Sequence, residues 1–456
     1  GRYGLCGAAE ALREIHNPSS ADALENARRR LIFEEFYVFF AALSLMRARR
    51  TVVSVPPYES TELSEFENAL PFALTGAQKR VIAEILRDFR SGRPMSRLVQ
   101  GDVGSGKTMV AAAAAFCAAK NGRQTALLAP TEILARQHFE RLSPLLAPLG
   151  VRCCLLTGSL TPTQKRDLRA RIAAGEFDIV IGTHALLTET TVFSALGLVV
   201  ADEQHRFGVA QRAALLEKGA HPHLLLMSAT PIPRTLALMM YGDLEVSVID
   251  ELPPGRQPVE TFLVNESYRA RLNGFIRKQT EEGHQCFIVC PAIEEGETED
   301  LKAAEQWAQT LKERVFPQLR VALLHGKMKG AEKEDVMGRF AAGEFDLLVS
   351  TTVIEVGVDV PNATVMVVEN ADRFGLSQLH QLRGRIGRGS AKSYCILVSD
   401  NKGAETIQRL RALCATHDGF RIAEEDLKLR GPGDFFGSRQ HGLPVFRLGD
   451  LAQDLS

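Results

Sequence analysis

One stretch, LVQGDVGSGKTM from Leu98 to Met109, sets the strongest limit on how this chain can fold. Within it Gly101, Gly104, Gly106, Lys107 and Thr108 stand in the phosphate-loop pattern G-x-x-x-x-G-K-[ST]. The pattern has chemical meaning only between a buried strand and a helix. The apolar run Arg97–Val99 predicts the strand, and the alanine-rich run Met109–Ala119 predicts the helix. Glycines let the backbone wrap round phosphates, and its N–H groups and the helix N-terminus then face negative charge. Lys107 would neutralise the β- and γ-phosphates, and the Thr108 hydroxyl would ligate Mg²⁺. The motif says that a nucleotide is bound, but not what the nucleotide drives.

Short apolar runs alternate with helical stretches on both sides of a polar break. Before it the predicted strands are Ala126–Ala129, Cys153–Leu156, Ile179–Ile181, Leu198–Ala201 and Leu224–Met227, with helices such as Glu132–Leu142 and Pro162–Ala174 between them. The break is DELPPGRQ, Asp250–Gln257, read as a linker. After it come Gln285–Cys290, Val321–Leu324, Leu347–Ser350, Val365–Val368 and Tyr394–Val398. Such alternation predicts α/β architecture, with parallel sheets covered by helices on both faces and ligands at the carboxyl ends of the strands.

The two halves echo each other. RIAAGEFDIVIGTHALL from Arg171 matches RFAAGEFDLLVSTTVIE from Arg339, and LLTG ending at Gly158 matches LLHG ending at Gly326. Both matches are offset by 168 positions, which predicts two tandem copies of one α/β unit. Only the first copy carries the phosphate loop, so the second must offer something else at the corresponding place.

A length of 456 residues exceeds one ordinary core and suggests two or three domains. The net charge of −1 does not announce a polyanionic partner, so any basic surface must be local. The eight cysteines are scattered and read as small buried hydrophobes in a reducing compartment, the cytoplasm. The most apolar segment, Phe36–Met46, is too short to span a bilayer, and no membrane role is expected. It belongs to a helical region over residues 1–50 that needs a covering partner, expected to be the next domain. Past Asp400, Asn401–Thr416 and Arg421–Leu429 predict two helices. A shaped loop is expected from Arg430 to Gln440, where Gly431, Pro432 and Gly433 oppose regular structure.

Asp202 and Glu203 follow the apolar run LGLVVA. Acidic pairs are common on surfaces, but after a buried strand and downstream of a phosphate loop this one fits catalysis. Asp202 would hold Mg²⁺, and Glu203 would orient and deprotonate an attacking water. His205 reads as a contact, and the Ser228-Ala229-Thr230-Pro231 turn as a relay beside the acidic pair. In the second half Gln381-Leu-Arg-Gly-Arg385-Ile-Gly-Arg388 spaces two arginines three apart, on one side of a helical turn. They could reach a transferring γ-phosphate across a cleft.

The ordered series GDVGSGKT, APTEILARQH, LTGS, GTHALL, DEQH, MSATPIPRT, HGKM, STTVIEVGVDVPNA and QLHQLRGRIGRG resembles the full motif set of superfamily-two helicases, over about residues 72–389. DGFRIAEEDLKLRGPGDFFGSRQHG, residues 418–442, resembles the translocation motif of the RecG family of bacterial DNA helicases; a related motif occurs in transcription–repair coupling factors. The resemblance implies two RecA-like lobes and a small C-terminal helical hairpin and loop. It divides the chain into a helical linker remnant (1–50), an ATP-binding lobe (51–252), a second lobe (253–400) and a translocation hairpin and loop (401–456).

It further implies that Phe72 and Gln78 contact adenine and that Asp359 lies near the nucleotide. Gln381, Arg385 and Arg388 would complete the ATP site. Thr131, Thr157, Gly158, Thr183, His325, Gly326, Thr351 and Thr352 match positions that track a DNA backbone. Arg409, Arg430, Arg439 and Gln440 would couple lobe closure to movement along duplex DNA. ATP and Mg²⁺ are the implied cofactors; branched or duplex DNA and a single-strand DNA-binding protein are the implied partners. The family carries an N-terminal wedge that splits forks, and this chain starts at what resembles the linker after it. The alternatives are a duplex-DNA translocase of the coupling type and an ATP-gated DNA-binding module that does not translocate.

Overall fold

Nine of the thirteen described strands are buried on both faces, as parallel sheets covered by helices require, and the other four are edge strands. The computed structural model describes residues 4–50, 53–203, 214–229, 244–254, 257–291, 305–351, 360–389, 391–435 and 447–449, excepting the side chains of 43, 46–50, 427 and 429–435. The first sheet contains β1 (Ser96–Gly101), β2 (Gln124–Leu128), β3 (Cys153–Leu156), β4 (Ile179–Gly182), β5 (Leu196–Ala201), β6 (His223–Ser228) and β7 (Glu245–Ile249). Their order is β3-β4-β2-β5-β6-β1-β7, with all pairings parallel. Alternation along each strand splits the core. Val99, Leu127, Ile181, Val200 and Leu225 face one layer of helices, while Leu98, Ala126, Val180, Val199 and Leu226 face the other. The helix Lys107–Lys120 buries Ala111 through Ala115 and Ala118, small side chains that let it lie close against the sheet and its neighbouring helices.

The second sheet contains β8 (Val259–Val264), β9 (Gln285–Val289), β10 (Val321–Leu324), β11 (Leu347–Ser350), β12 (Ala363–Val368) and β13 (Ser393–Val398), in the order β10-β11-β9-β12-β13-β8. Taken in chain order, β8 to β13 repeat the arrangement of β1 to β6, so this is the first sheet's topology without β7. The 168-residue offset holds in detail. Helices Pro162–Ala173 and Gly330–Ala341 correspond, as do the pairs Arg152–Asp178 and Arg320–Asp346, and Arg171–Glu176 and Arg339–Glu344. Gln124 and Gln285 play one part in each lobe: their side-chain amides tie the end of the repeat helix to the loop before the next strand.

At the place of the phosphate loop the second lobe has a salt bridge. The N–H of Asp202 donates to Leu128 at the end of β2, and that of Glu369 donates to Val289 at the end of β9. Glu369 therefore stands where Asp202 stands. Arg269, the first residue of helix Arg269–Glu281, spans it with contacts of 2.6 and 2.7 Å and lies over the Trp307 ring.

Several expectations need correction. The sequence reading did not propose β7 or β8. Both alternate rather than run apolar, because each is an edge strand with one face half open. Helix Gly419–Phe435 runs through Gly431, Pro432 and Gly433, where a loop was expected. One proline removes a single helical hydrogen bond, and the preceding turns are held by buried Ile422, Ala423 and Asp426. The helix Ala21–Arg50 pairs with helix Ala8–His16, and its Glu35 carboxylate accepts N–H groups from Arg447, Leu448 and Gly449. Arg385 and Arg388 lie beyond a helix: Leu376–Arg383 stops at Gly384, and Gly387 takes φ +75°. Among the described residues no helix is long and apolar enough to cross a membrane.

Candidate active site

The phosphate loop leaves β1 at Gly101 and enters its helix at Lys107. Gly104 and Gly106 adopt φ +79° and +82°, which only glycine takes without strain. Gln78 supports the loop from below. Its amide nitrogen donates to the Ser105 carbonyl at 2.9 Å, while its amide oxygen accepts the Thr75 N–H as part of the capping box of helix Gly76–Arg90. Lys107 Nζ donates to the Gly101 and Asp102 carbonyls at 2.7 and 2.8 Å. Burial depresses the Lys107 ammonium below the usual lysine value, against the opposing pull of Glu203, Asp202 and Asp102.

Asp202 follows β5 and is buried. Its Oδ2 lies 2.8 Å from Nε2 of His138, and its Oδ1 accepts the Glu203 N–H at 2.9 Å. Burial raises the Asp202 carboxyl, but the His138 bond and the Lys107 charge outweigh it and hold the group below the ordinary carboxylate value. Glu203 takes φ +51°, a left-handed conformation that costs a non-glycine residue energy.

A cavity of about 860 Å³ joins these groups to the second lobe. Phe72, Gly104, Gly106, Lys107, Thr108, Asp202 and Glu203 line it from the first lobe, and Arg385 and Arg388 from the second. Phe72 is half exposed at its mouth. Gly101 and Gln78 sit behind the loop, and Gln381 is half-buried on helix Leu376–Arg383, outside the cavity wall. Asp359 and His205 lie outside the described residues. Ser228 is buried at the end of β6, and Thr230 and Pro231 also lie outside them. Two contributors were missed by sequence reasoning. His138 sits on the helix after Thr131, and its signal was the histidine two turns into APTEILARQH. His380 bonds Asp102 across the cleft and had no local signal.

The residues matched to a DNA track lie at the carboxyl ends of strands in the other half of each sheet. Thr131 follows β2 and caps helix Glu132–Leu146; Thr157 and Thr183 follow β3 and β4. His325 and Thr351 follow β10 and β11, and Thr352 lies outside the described residues. Arg409, on helix Ala404–Ala415, donates to the Asp372 carbonyl. The backbone of Arg430 belongs to helix Gly419–Phe435, while Arg439 and Gln440 lie outside the described residues.

Comparison with known proteins places this geometry. Residues 75–239 match the DEAD/DEAH box helicase family, 268–390 the helicase conserved C-terminal domain, and 416–455 the C-terminal part of domain 3 of ATP-dependent DNA helicase RecG. The ATP-dependent DNA helicase RecG of Synechocystis is 51% identical over 99% of this chain and 55% of its own length. That of Streptococcus pneumoniae is 46% identical over 99% of this chain and 68% of its own. The solved structure of RecG bound to a three-way DNA junction superposes with a TM-score of 0.82 at 46% identity, covering 100% of this chain and 60% of that one. The chain thus spans between about half and two thirds of the length of these relatives.

Proposed function

The chain belongs to the RecG family of ATP-dependent DNA helicases, and on that premise we propose that it is an ATP-driven motor that remodels branched DNA, as at stalled replication forks and recombination intermediates. The observation that carries this reading is the shared cavity, with Lys107, Asp202 and Glu203 on one wall and Arg385 and Arg388 on the other.

ATP would place its adenine by Phe72 and Gln78 and its phosphates in the glycine loop. Lys107 would exchange its two carbonyl partners for phosphate oxygens. The donors present suit Mg²⁺: a threonine hydroxyl at the helix start and a buried carboxylate kept ionised share one cavity. Thr108 and Asp202 would hold the ion, which supplies charge neutralisation on the phosphates. Glu203 takes the proton of the attacking water, and Arg385 and Arg388 stabilise charge that grows on the γ-phosphate. Gln381 and Asp359 would complete the site. Binding draws the lobes together and hydrolysis releases them.

Thr131, Thr157, Thr183, His325 and Thr351 would hold DNA phosphates without reading sequence. Arg409, Arg430, Arg439 and Gln440 would turn the cycle into movement. This reading keeps the division at residues 50, 252 and 400, supported by the switch of sheet between β7 and β8. The solved relative on a three-way junction supports branched DNA as substrate. A single-strand DNA-binding protein as partner rests on the family resemblance. Eight free cysteines support the cytoplasm as location. The test is release of a labelled strand from a three-way junction. Release that needs ATP and stops in Glu203→Gln supports the motor; ATP-independent release, or none, opposes it.

A further inference from the structure

We propose that His380 is a positioning residue for hydrolysis, a latch that fixes the arginines of the second lobe against the phosphate loop. Its Nε2 lies 2.6 Å from Asp102 Oδ1, between residues 278 positions apart in the chain. The same oxygen accepts the Val103 N–H at 2.6 Å, and the Asp102 carbonyl accepts from Lys107. The other ring nitrogen, Nδ1, lies 2.9 Å from Nη2 of Arg383.

Arginine can only donate, so Nδ1 must accept. The ring proton is therefore on Nε2 and is donated to Asp102. Arg383 in turn donates through Nη1 to the carbonyls of Leu413 and Thr416, at 2.7 and 2.9 Å, at the end of helix Ala404–Ala415. The next residue, Gly384, abuts the loop: a Cβ there would lie 2.7 Å from that of Val103. Arg385 follows directly and enters the cavity.

The His380–Asp102 bond thus sets how far Arg385 stands from the phosphates, and a shift of the 102–103 peptide when Lys107 leaves it passes through the ring to Arg383. Burial raises the Asp102 carboxyl, but the bond from His380 outweighs it and keeps the group ionised, as the latch requires.

The inference rests on the motor reading and is tested on the whole chain by DNA-stimulated ATP hydrolysis. His380→Ala should lower kcat about tenfold to a hundredfold, as loss of an orienting bond does. Binding of a fluorescent ATP analogue should change by less than about twofold, because the loss falls on the transition state. His380→Gln, whose amide can donate to Asp102 and accept from Arg383, should recover most of kcat. Asp102→Ala combined with His380→Ala should be no slower than the slower single variant, because the two act as one unit.

An undiminished rate in His380→Ala, no recovery in His380→Gln, or penalties that multiply would each overturn the latch alone. No hydrolysis by the unaltered chain would overturn the motor reading, and the latch with it.

Discussion

Arg269 holds Glu369 through two hydrogen bonds of 2.6 and 2.7 Å, at the place in the second lobe that corresponds to the meeting of Lys107 and Asp202 in the first. One topology therefore carries an open anion site in one copy and a filled one in the other. Glu369→Ala would leave the half-buried guanidinium with Glu266 alone, which also holds it at 2.7 and 2.9 Å, and should cost about 2 kcal/mol in denaturant unfolding. Replacing both partners, as Arg269→Met with Glu369→Leu, should recover most of that loss. A double variant less stable than Glu369→Ala would show that the pair is not acting as an isolated unit.

His138 should tune the metal requirement through Asp202, whose carboxylate it orients at 2.8 Å. His138→Ala is expected to raise the Mg²⁺ concentration for half-maximal hydrolysis by about tenfold, the usual scale for losing a partner of a metal ligand. A Mg²⁺ titration checks this, and an unchanged midpoint would remove His138 from the site.

Lys107 and Glu203 should fail in different ways. Glu203→Gln keeps the shape but not the base, so kcat should fall about a thousandfold while ATP still binds. Lys107→Ala should lose nucleotide affinity together with turnover, because the ammonium faces the phosphates directly. Equilibrium binding of a fluorescent ATP analogue separates the two, and equal affinity in both variants would contradict these roles.

The site was legible where its chemistry is local. The phosphate loop and the acidic pair each occupy a few consecutive residues and lie at strand ends; the arginine motif is as compact but follows a helix and lines the same cavity. The repeat was legible because one offset fixed β3 with β10 and β4 with β11. What stayed hidden depends on partners distant in sequence. Nothing near His380 announces Asp102, and nothing near His138 announces Asp202. Edge strands β7 and β8 lacked the continuous apolar run of their neighbours because only part of each is covered. Pro432 was given its local preference, whereas the packing of the preceding helical turns prevailed.

Acid stability should depend on His223. Burial beneath Tyr58 and Phe89 lowers its pKa to about 4, and its Nδ1 accepts the Met95 N–H. The unfolded chain, with an ordinary value of about 6.5, binds this proton more readily than the folded one. Stability from this group is therefore intact above about pH 6.5 and falls as pH drops toward 4, by about 3 kcal/mol in full. His223→Asn keeps an acceptor for Met95 and does not titrate. Its denaturation midpoint should vary less between pH 7.5 and pH 4.5 than that of the unaltered chain, and an equal dependence would assign the effect elsewhere.

The most direct test of a two-lobed, DNA-driven motor is the steady-state rate of ATP hydrolysis, measured at one fixed salt concentration without DNA, with linear duplex and with a three-way junction. A rate that rises several-fold with DNA, most with the junction, and that vanishes in Arg385→Ala is the expected result. Hydrolysis indifferent to DNA, or unaffected by loss of Arg385, would contradict the claim that the two lobes build one site under DNA control.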